Sequence, residues 1–344
     1  MPPELRSTDT ASERKFIGFF DRSRIRLIVY QALLAATVAF AVWYLVANAV
    51  DNLVARRIAS GFGFLSREAG FEIGETTFLS YSAAETYLRA IAVGILNTFR
   101  AASVAIIFST LLGTLIGLAR LSRNWLLAKL ASGYVEALRN VPLLVQLFFW
   151  YAVITESLPA PAEALNPLPG IFLSNRGFAF PVLVAGEPIA LEHPVLSAFN
   201  FSGGGLLSPE FAALLLGLTL YTAAFIAEIV RAGILAVDRG QSEAAYSLGL
   251  SERQVTRFIV LPQALRVIVP PLTSQYLNCT KNSSLAVAIG YPDLVSIANT
   301  IINQTGQAIE GILIIMLVYL TISLTISSFM NWYNRRFALR GINL

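Results

Sequence analysis

Charge is scarce in this 344-residue sequence: Asp, Glu, Lys and Arg together make up 13%, about half of the ~25% usual in soluble domains. It holds one cysteine, Cys279, and one histidine, His193. An intrachain disulfide is therefore excluded, and a Cys/His metal centre or a Ser-His-Asp arrangement has almost nothing to draw on. The phosphate-cradling pattern G-x-x-x-x-G-K-[ST] occurs nowhere, so the sequence offers no P-loop for a nucleotide. What fills the chain instead is apolar: 56% of residues are hydrophobic. This is the composition of an all-α polytopic membrane protein, and the net charge of +4 has to be read by where the basic residues fall relative to the spans. No nucleic-acid partner is expected.

A crossing needs about 20 mainly apolar residues. Six segments qualify, roughly 28–50, 95–119, 137–158, 210–235, 264–287 and 308–332. The fifth is interrupted by Arg266, Pro270, Pro271 and Lys281, which is tolerated only where neighbouring protein covers the freed backbone groups. With the N-terminus in the cytoplasm, 18 of the 25 Lys and Arg fall on inner segments, including Arg6, Arg14, Lys15, Arg120, Arg123, Arg239, Arg253, Arg257, Arg335, Arg336 and Arg340. The outer segments hold Arg56, Arg57, Arg67, Arg89 and Arg176. That asymmetry predicts both termini inside. The first apolar run ends near Ala47 and Ala49, residues that suit a signal-peptidase site. It is longer than the roughly 7–15 residues of a signal core, however, so an uncleaved anchor is expected.

The resulting organisation is a cytoplasmic tail (1–27), an additional N-terminal helix (28–50), an outer segment (51–90), a core (91–335) and a short cytoplasmic tail (336–344). The core is interrupted by an outer insertion, 159–209, with eight prolines and the run Gly203-Gly204-Gly205. Two readings of the insertion stand: a structured or partly extended loop, or a docking surface for an external partner. Its apolar piece, GFAFPVLVAGEPIAL, is too short and too broken by Pro181, Glu187 and Pro188 to span.

One inner segment (238–262) is unlike the rest. EAAYSLGLSERQVTRFIVLP, residues 243–262, reads as two short helical pieces. Ala244, Ala245 and Leu248 make a small apolar strip, Gly249 permits a break, Ser251 suits an N-cap, and Pro262 is expected to end the second piece. On residue types alone this is either a solvated loop helix or a ridge that inserts into another protein. The spacing goes further. Glu243, Ala244 and Ala245, three residues, Gly249, nine residues, then Ile259, Leu261 and Pro262 resemble the E-A-A signature of permease subunits of bacterial ABC importers. The stretches NTFRAASVAIIFSTLLGTLIGLARLS (97–122), EALRNVPLLVQLFFWY (136–151), YTAAFIAEIVRAGILAVDRGQ (221–241) and KNSSLAVAIGYPDL (281–294) are similar to the polar amino acid uptake branch, in particular to general L-amino acid permeases.

That resemblance implies a MetI-like core of five helices in a bacterial inner membrane. It also implies a coupling helix in which Glu243 contacts the ATPase, Ala244 and Ala245 allow close packing, Gly249 sets the bend, and Leu261 and Pro262 close the motif. ATP and Mg are then bound by a separate ATPase dimer, this chain being neither an enzyme nor a cofactor carrier. Its other partners are a second permease, expected to be paralogous, and a periplasmic amino-acid-binding protein; alternating access moves the amino acid. An ion-coupled secondary transporter is the rival reading, and it lacks any use for the E-A-A segment.

Polar residues at membrane depth are candidates for the pathway, because each costs insertion energy. Asn278, Thr280, Lys281, Asn282, Ser283 and Ser284 crowd the fifth span. They read either as groups that hold an amino acid's carboxylate and ammonium, or as groups that satisfy a helix broken at depth. The resemblance implies that a neutral Asn282, where relatives handling basic amino acids carry an acid, suits zwitterionic or mixed cargo. Glu228 and Arg231, three apart, form a local ion pair, or else a gate or substrate contact. Arg100 is expected to snorkel toward the outer interface.

Overall fold

A computed structural model describes residues 22–55, 60–184, 190–197 and 200–337. Both tails beyond these limits, with Arg6, Arg14, Lys15 and Arg340, lie outside the described residues, as do Arg56, Arg57 and the Glu187–Pro188 break. The chain divides into two compact units, Met1–Ser60 and Gly61–Leu344. In the first, α1 (Arg22–Ala55) carries an apolar stretch, Arg26–Ala49, long enough to cross a bilayer.

The second unit is built on α2 (Tyr87–Ala119), α5 (Pro209–Leu235), α8 (Leu261–Asn282) and α10 (Ala308–Phe337). With α1, five helical stretches among the described residues are long and apolar enough to span, and a sixth is counted if one bent pair is a single crossing. This is a multi-pass helical membrane protein. The bent pair corrects the straight span expected at 137–158: α3 (Trp125–Asn140) turns by 103° into the helix beginning with α4 (Leu143–Ala152) and continuing to Ser157. Pro142 is the cause. It pushes Val141 to an extended conformation (φ −99°, ψ 126°), and the Gln146 amide donates to the freed Leu138 and Val141 carbonyls at 2.9 Å each.

Helices α2 and α5 form the centre of the unit, and glycine sets how closely they pack. A Cβ at Gly113 would sit 2.7 Å from Ile226 Cβ and 2.8 Å from the Ala223 carbonyl; one at Gly117 would sit 2.8 Å from the Ala227 carbonyl. Backbones that approach this closely gain dispersion contacts where lipid gives no hydrophobic push.

Two expectations are corrected here. Arg100 does not snorkel: its guanidinium pairs with Glu75 at 2.9 Å, donates to Thr77 at 2.8 Å and lies 4.0 Å over the Phe211 ring. It thereby pins the outer segment around Glu75 onto α2. Pro262 does not end a helix either. After α6 (Arg239–Ser247) and α7 (Glu252–Val255), a π turn (Thr256–Val260) runs straight into α8, and this local widening lets the helical backbone continue past Pro262 and its missing N–H.

Among the described residues, the 159–209 insertion folds as eight short strands. Strands β1 (Leu165–Leu168), β2 (Ile171–Ser174), β3 (Gly177–Phe180) and β8 (Gly205–Leu207) make one antiparallel sheet in that order. Strands β4 (Val182–Val184) and β5 (Ala190–Glu192), and β6 (Val195–Ser197) and β7 (Asn200–Ser202), make two separate ribbons.

Past α8 a 3₁₀ turn (Ser283–Ile289) leads to Asp293, which caps α9 (Leu294–Thr305) through Oδ1 accepting the Ser296 N–H at 2.8 Å. Its other oxygen, Oδ2, is buried and finds no hydrogen bond among the described residues. Burial pushes this carboxyl up to about 7, against the pull of the capping N–H bonds. The sign follows: ionising Asp293 disfavours the folded state, so its contribution to stability is complete below about pH 4 and is lost as pH rises toward 7. Asp293→Asn keeps a good cap and removes the ionisation. The melting-temperature gain of the variant over the parent in detergent is expected to grow between pH 4 and 7, and a constant difference overturns the assignment.

Candidate functional site

Two regions carry the chemistry. The first is a pocket of about 250 Å³ between α5 and α8, lined by Tyr221, Thr222, Phe225, Gln275, Asn278, Cys279 and Asn282. The sequence spacing explains it: 275, 278, 279 and 282 repeat on one helix face, and 221, 222 and 225 do the same on α5. Thr222 is the central residue of α5, so the pocket lies at mid-membrane depth. None of the lining residues bears a formal charge. Amides and hydroxyls both donate and accept, so this lining suits a carboxylate and an ammonium held side by side. The Tyr221 and Phe225 rings, 4.9 Å apart, add an aromatic wall for an apolar side chain or a cation. Pockets for drug-sized ligands run to about 300–1,000 Å³, and this one matches something smaller.

Of the expected pathway residues, the pocket takes Asn278 and Asn282. Thr280, Ser283 and Ser284 turn back on their own helix, donating to the carbonyls of Tyr276 (2.9 Å), Thr280 (2.7 Å) and Lys281 (2.7 Å). They ease the change from α8 to the 3₁₀ turn. Lys281 lies on the exposed side. Glu228 is away from the pocket, bound by Arg231 at 2.6 Å and by Arg120, the residue that caps the C-terminus of α2; it ties the end of α2 to α5. Gln275, Tyr221, Thr222 and Phe225 were not singled out from sequence. The i, i+3, i+7 spacing of Gln275, Asn278 and Asn282 was the available signal.

The second region is the inner segment. Asp238 caps α6 by accepting the Gly240 N–H at 2.7 Å. The helix ends in a Schellman turn: Leu250 N–H donates to the Ala245 carbonyl at 3.2 Å and Gly249 N–H to that of Tyr246 at 2.9 Å. Gly249 sits at φ +83°, and a Cβ there would meet nothing within 4 Å; backbone conformation, not crowding, calls for glycine. Ser251 and Gln254 form a capping box that starts α7. Ala245 is buried, whereas Glu243 and Ala244 face outward. Leu248 is 81% exposed and Tyr246, Phe258 and Leu261 are also exposed, while Pro262 is half-buried. A charged edge beside uncovered apolar side chains is what a protein-docking ridge presents.

A third feature is a cavity of about 390 Å³ lined by Glu72, Glu75, Ser208, Glu210, Gly290 and Thr300 among others; it lies on the side expected to face outward.

Residues 109–339 match the family model described as binding-protein-dependent transport system inner membrane component. The chain is similar to the general L-amino acid transport system permease protein AapQ of Rhizobium johnstonii, 44% identical over 92% of this chain and 93% of that one. It is also similar to the glutamate/glutamine/aspartate/asparagine transport system permease protein BztB of Rhodobacter capsulatus, 36% identical over 92% of this chain and 95% of that one. A solved structure of an amino acid ABC transporter with histidines superposes with a TM-score of 0.55 at 28% identity, covering 73% of this chain and 95% of its own.

Proposed function

Because this chain belongs to the family of binding-protein-dependent transport system inner membrane components, we propose that it is the transmembrane permease subunit of an ATP-driven importer of L-amino acids of polar or broad range. The observation that carries this reading is its 44% identity, over nine-tenths of its length, to a general L-amino acid permease. The uncharged amide-lined pocket at mid-membrane supports it.

In this reading the α6 ridge, with Glu243 and Ala244 outward and Gly249 turning the chain, seats in a cleft of a separate ATPase subunit. ATP and Mg belong to that subunit. The π turn and α8 pass the ridge's displacement to the pocket wall, because α7, the turn and α8 follow one another with only helical backbone between them. Movement of α8 against α5 then exposes Asn278 and Asn282 to one side of an inner membrane or the other, with both chain termini in the cytoplasm. A second, paralogous permease completes the pathway, and a periplasmic amino-acid-binding protein delivers the cargo.

Co-purification with the ATPase, the second permease and the binding protein, followed by a screen of amino acids for stimulation of ATP hydrolysis in proteoliposomes, tests the proposal. Stimulation by a set of L-amino acids that depends on the binding protein is expected. Uptake in cells that persists when ATP is depleted but the proton gradient is kept would overturn it in favour of ion coupling.

A further inference from the structure

The two ribbons of the outer insertion are apolar where they meet water. Leu183 and Leu191 are direct cross-strand partners on β4 and β5 and are 75% and 51% exposed. On β6, Val195 and Leu196 are exposed too, the latter opposite Phe201. A two-stranded ribbon is marginal on its own in water, and an uncovered apolar patch marks a contact surface. The four-stranded sheet is anchored on one face, where Phe178 of β3 and Leu207 of β8 pack against the core around Ile154 and Phe211, while Leu165 and Leu168 of β1 and Leu206 of β8 stay exposed and extend the apolar surface of the ribbons. It is the fixed base from which the ribbons project.

Charge and position decide what covers them. Strand β8 of the base sheet leads directly into Ser208 and Glu210, which line the outer cavity with Glu72 and Glu75, so the sheet that carries the ribbons borders this cavity. From Gly177 to Val230 the sequence has no Lys or Arg, and the ribbons' described charge is Glu192 on β5. Arg176, in the β2–β3 turn of the base sheet, is exposed, but an anionic lipid surface finds no cation on the ribbons themselves to hold it. A second copy of the same surface brings carboxylates against carboxylates. A soluble protein with an apolar face and a basic rim is complementary on both counts.

We propose that the β4–β5 and β6–β7 ribbons are a docking surface for the soluble external binding protein, whose matching face is apolar with basic residues around it. The inference rests on the permease reading above. The test uses the full transporter in proteoliposomes, with the binding protein titrated and ATP hydrolysis recorded. Leu183→Thr with Leu191→Thr keeps strand propensity while removing the apolar pair. It is expected to raise the half-saturating concentration of binding protein by about ten-fold, equivalent to about 1.4 kcal/mol, with basal and maximal hydrolysis unchanged; Leu183→Met with Leu191→Met is expected to titrate as the parent does. An unchanged titration in the Thr variant, or a loss confined to permease pairing or to vesicle association, overturns the docking surface alone. A parent transporter that no binding protein stimulates overturns the permease reading and the docking with it.

Discussion

Gly249→Val is expected to lower ATP-driven amino acid uptake by about ten-fold or more while leaving the amount of protein in the membrane unchanged. The argument is conformational. Gly249 ends α6 at φ +83°, and the left-handed region costs an L-residue about 1–2 kcal/mol, more for a β-branched one. No side chain stands within 4 Å of the added Cβ, so packing of the spans is untouched. What changes is the Schellman turn, and with it the angle between the α6 ridge and the capping box that opens α7 at Ser251. A cost of about 1.4 kcal/mol alone shifts the population of the docking-competent turn ten-fold, and a ridge set at another angle also loses its fit. Gly249→Asn is the control, because Asn tolerates this conformation best among non-glycine residues; uptake above about half of the parent's is expected. Uptake is followed with a labelled amino acid and membrane content by immunoblot. Parental uptake by the Val variant would mean that the turn does not couple.

The inner segment was legible in the sequence because its geometry is local. A cap and a glycine that permits a break are each written within a few residues, and Ser251 and Gly249 are read that way from the sequence, whereas the Asp238 cap and the Gln254 half of the capping box come from the structure. The spans were legible for a similar reason, since hydropathy is summed along the chain. What required a structure was anything decided between distant segments. Arg100 looked like a lone cation at a helix end because Glu75, its partner, is 25 residues away in a loop of unpredictable path. The corner at Pro142 lay inside a run apolar enough to pass for one crossing, and only the Gln146 amide, which satisfies the opened turn, makes the bend affordable. In the pocket, composition pointed to the crowded stretch 278–284, but helix phase divides it: Asn278 and Asn282 face α5, while the hydroxyls between and after them serve the backbone. The α5 wall of Tyr221, Thr222 and Phe225 was invisible for want of knowing which faces meet.

Asn282→Asp is expected to turn the uptake preference toward basic amino acids by about ten-fold or more, read as the ratio of arginine to glutamine concentrations that halve uptake of a labelled cargo. The parent pocket is lined by uncharged groups, so a cationic side chain entering it sheds water and finds only dipoles in exchange. A carboxylate at position 282 supplies a counter-charge. At about 4 Å, with an effective dielectric near 20, the attraction is about 4 kcal/mol. The cost of desolvating the carboxylate itself offsets part of this, and a net 1.4 kcal/mol is enough for a ten-fold change. The same substitution sets a second negative charge against an acidic cargo, so glutamate is expected to compete less well than in the parent. Asn282→Ala separates charge from hydrogen bonding: it removes the amide and adds no charge, so uptake falls for all cargo without a change in preference. If the competition profile of Asn282→Asp matches the parent's, the pocket does not contact the side chain of the cargo, and selection rests with the delivering protein.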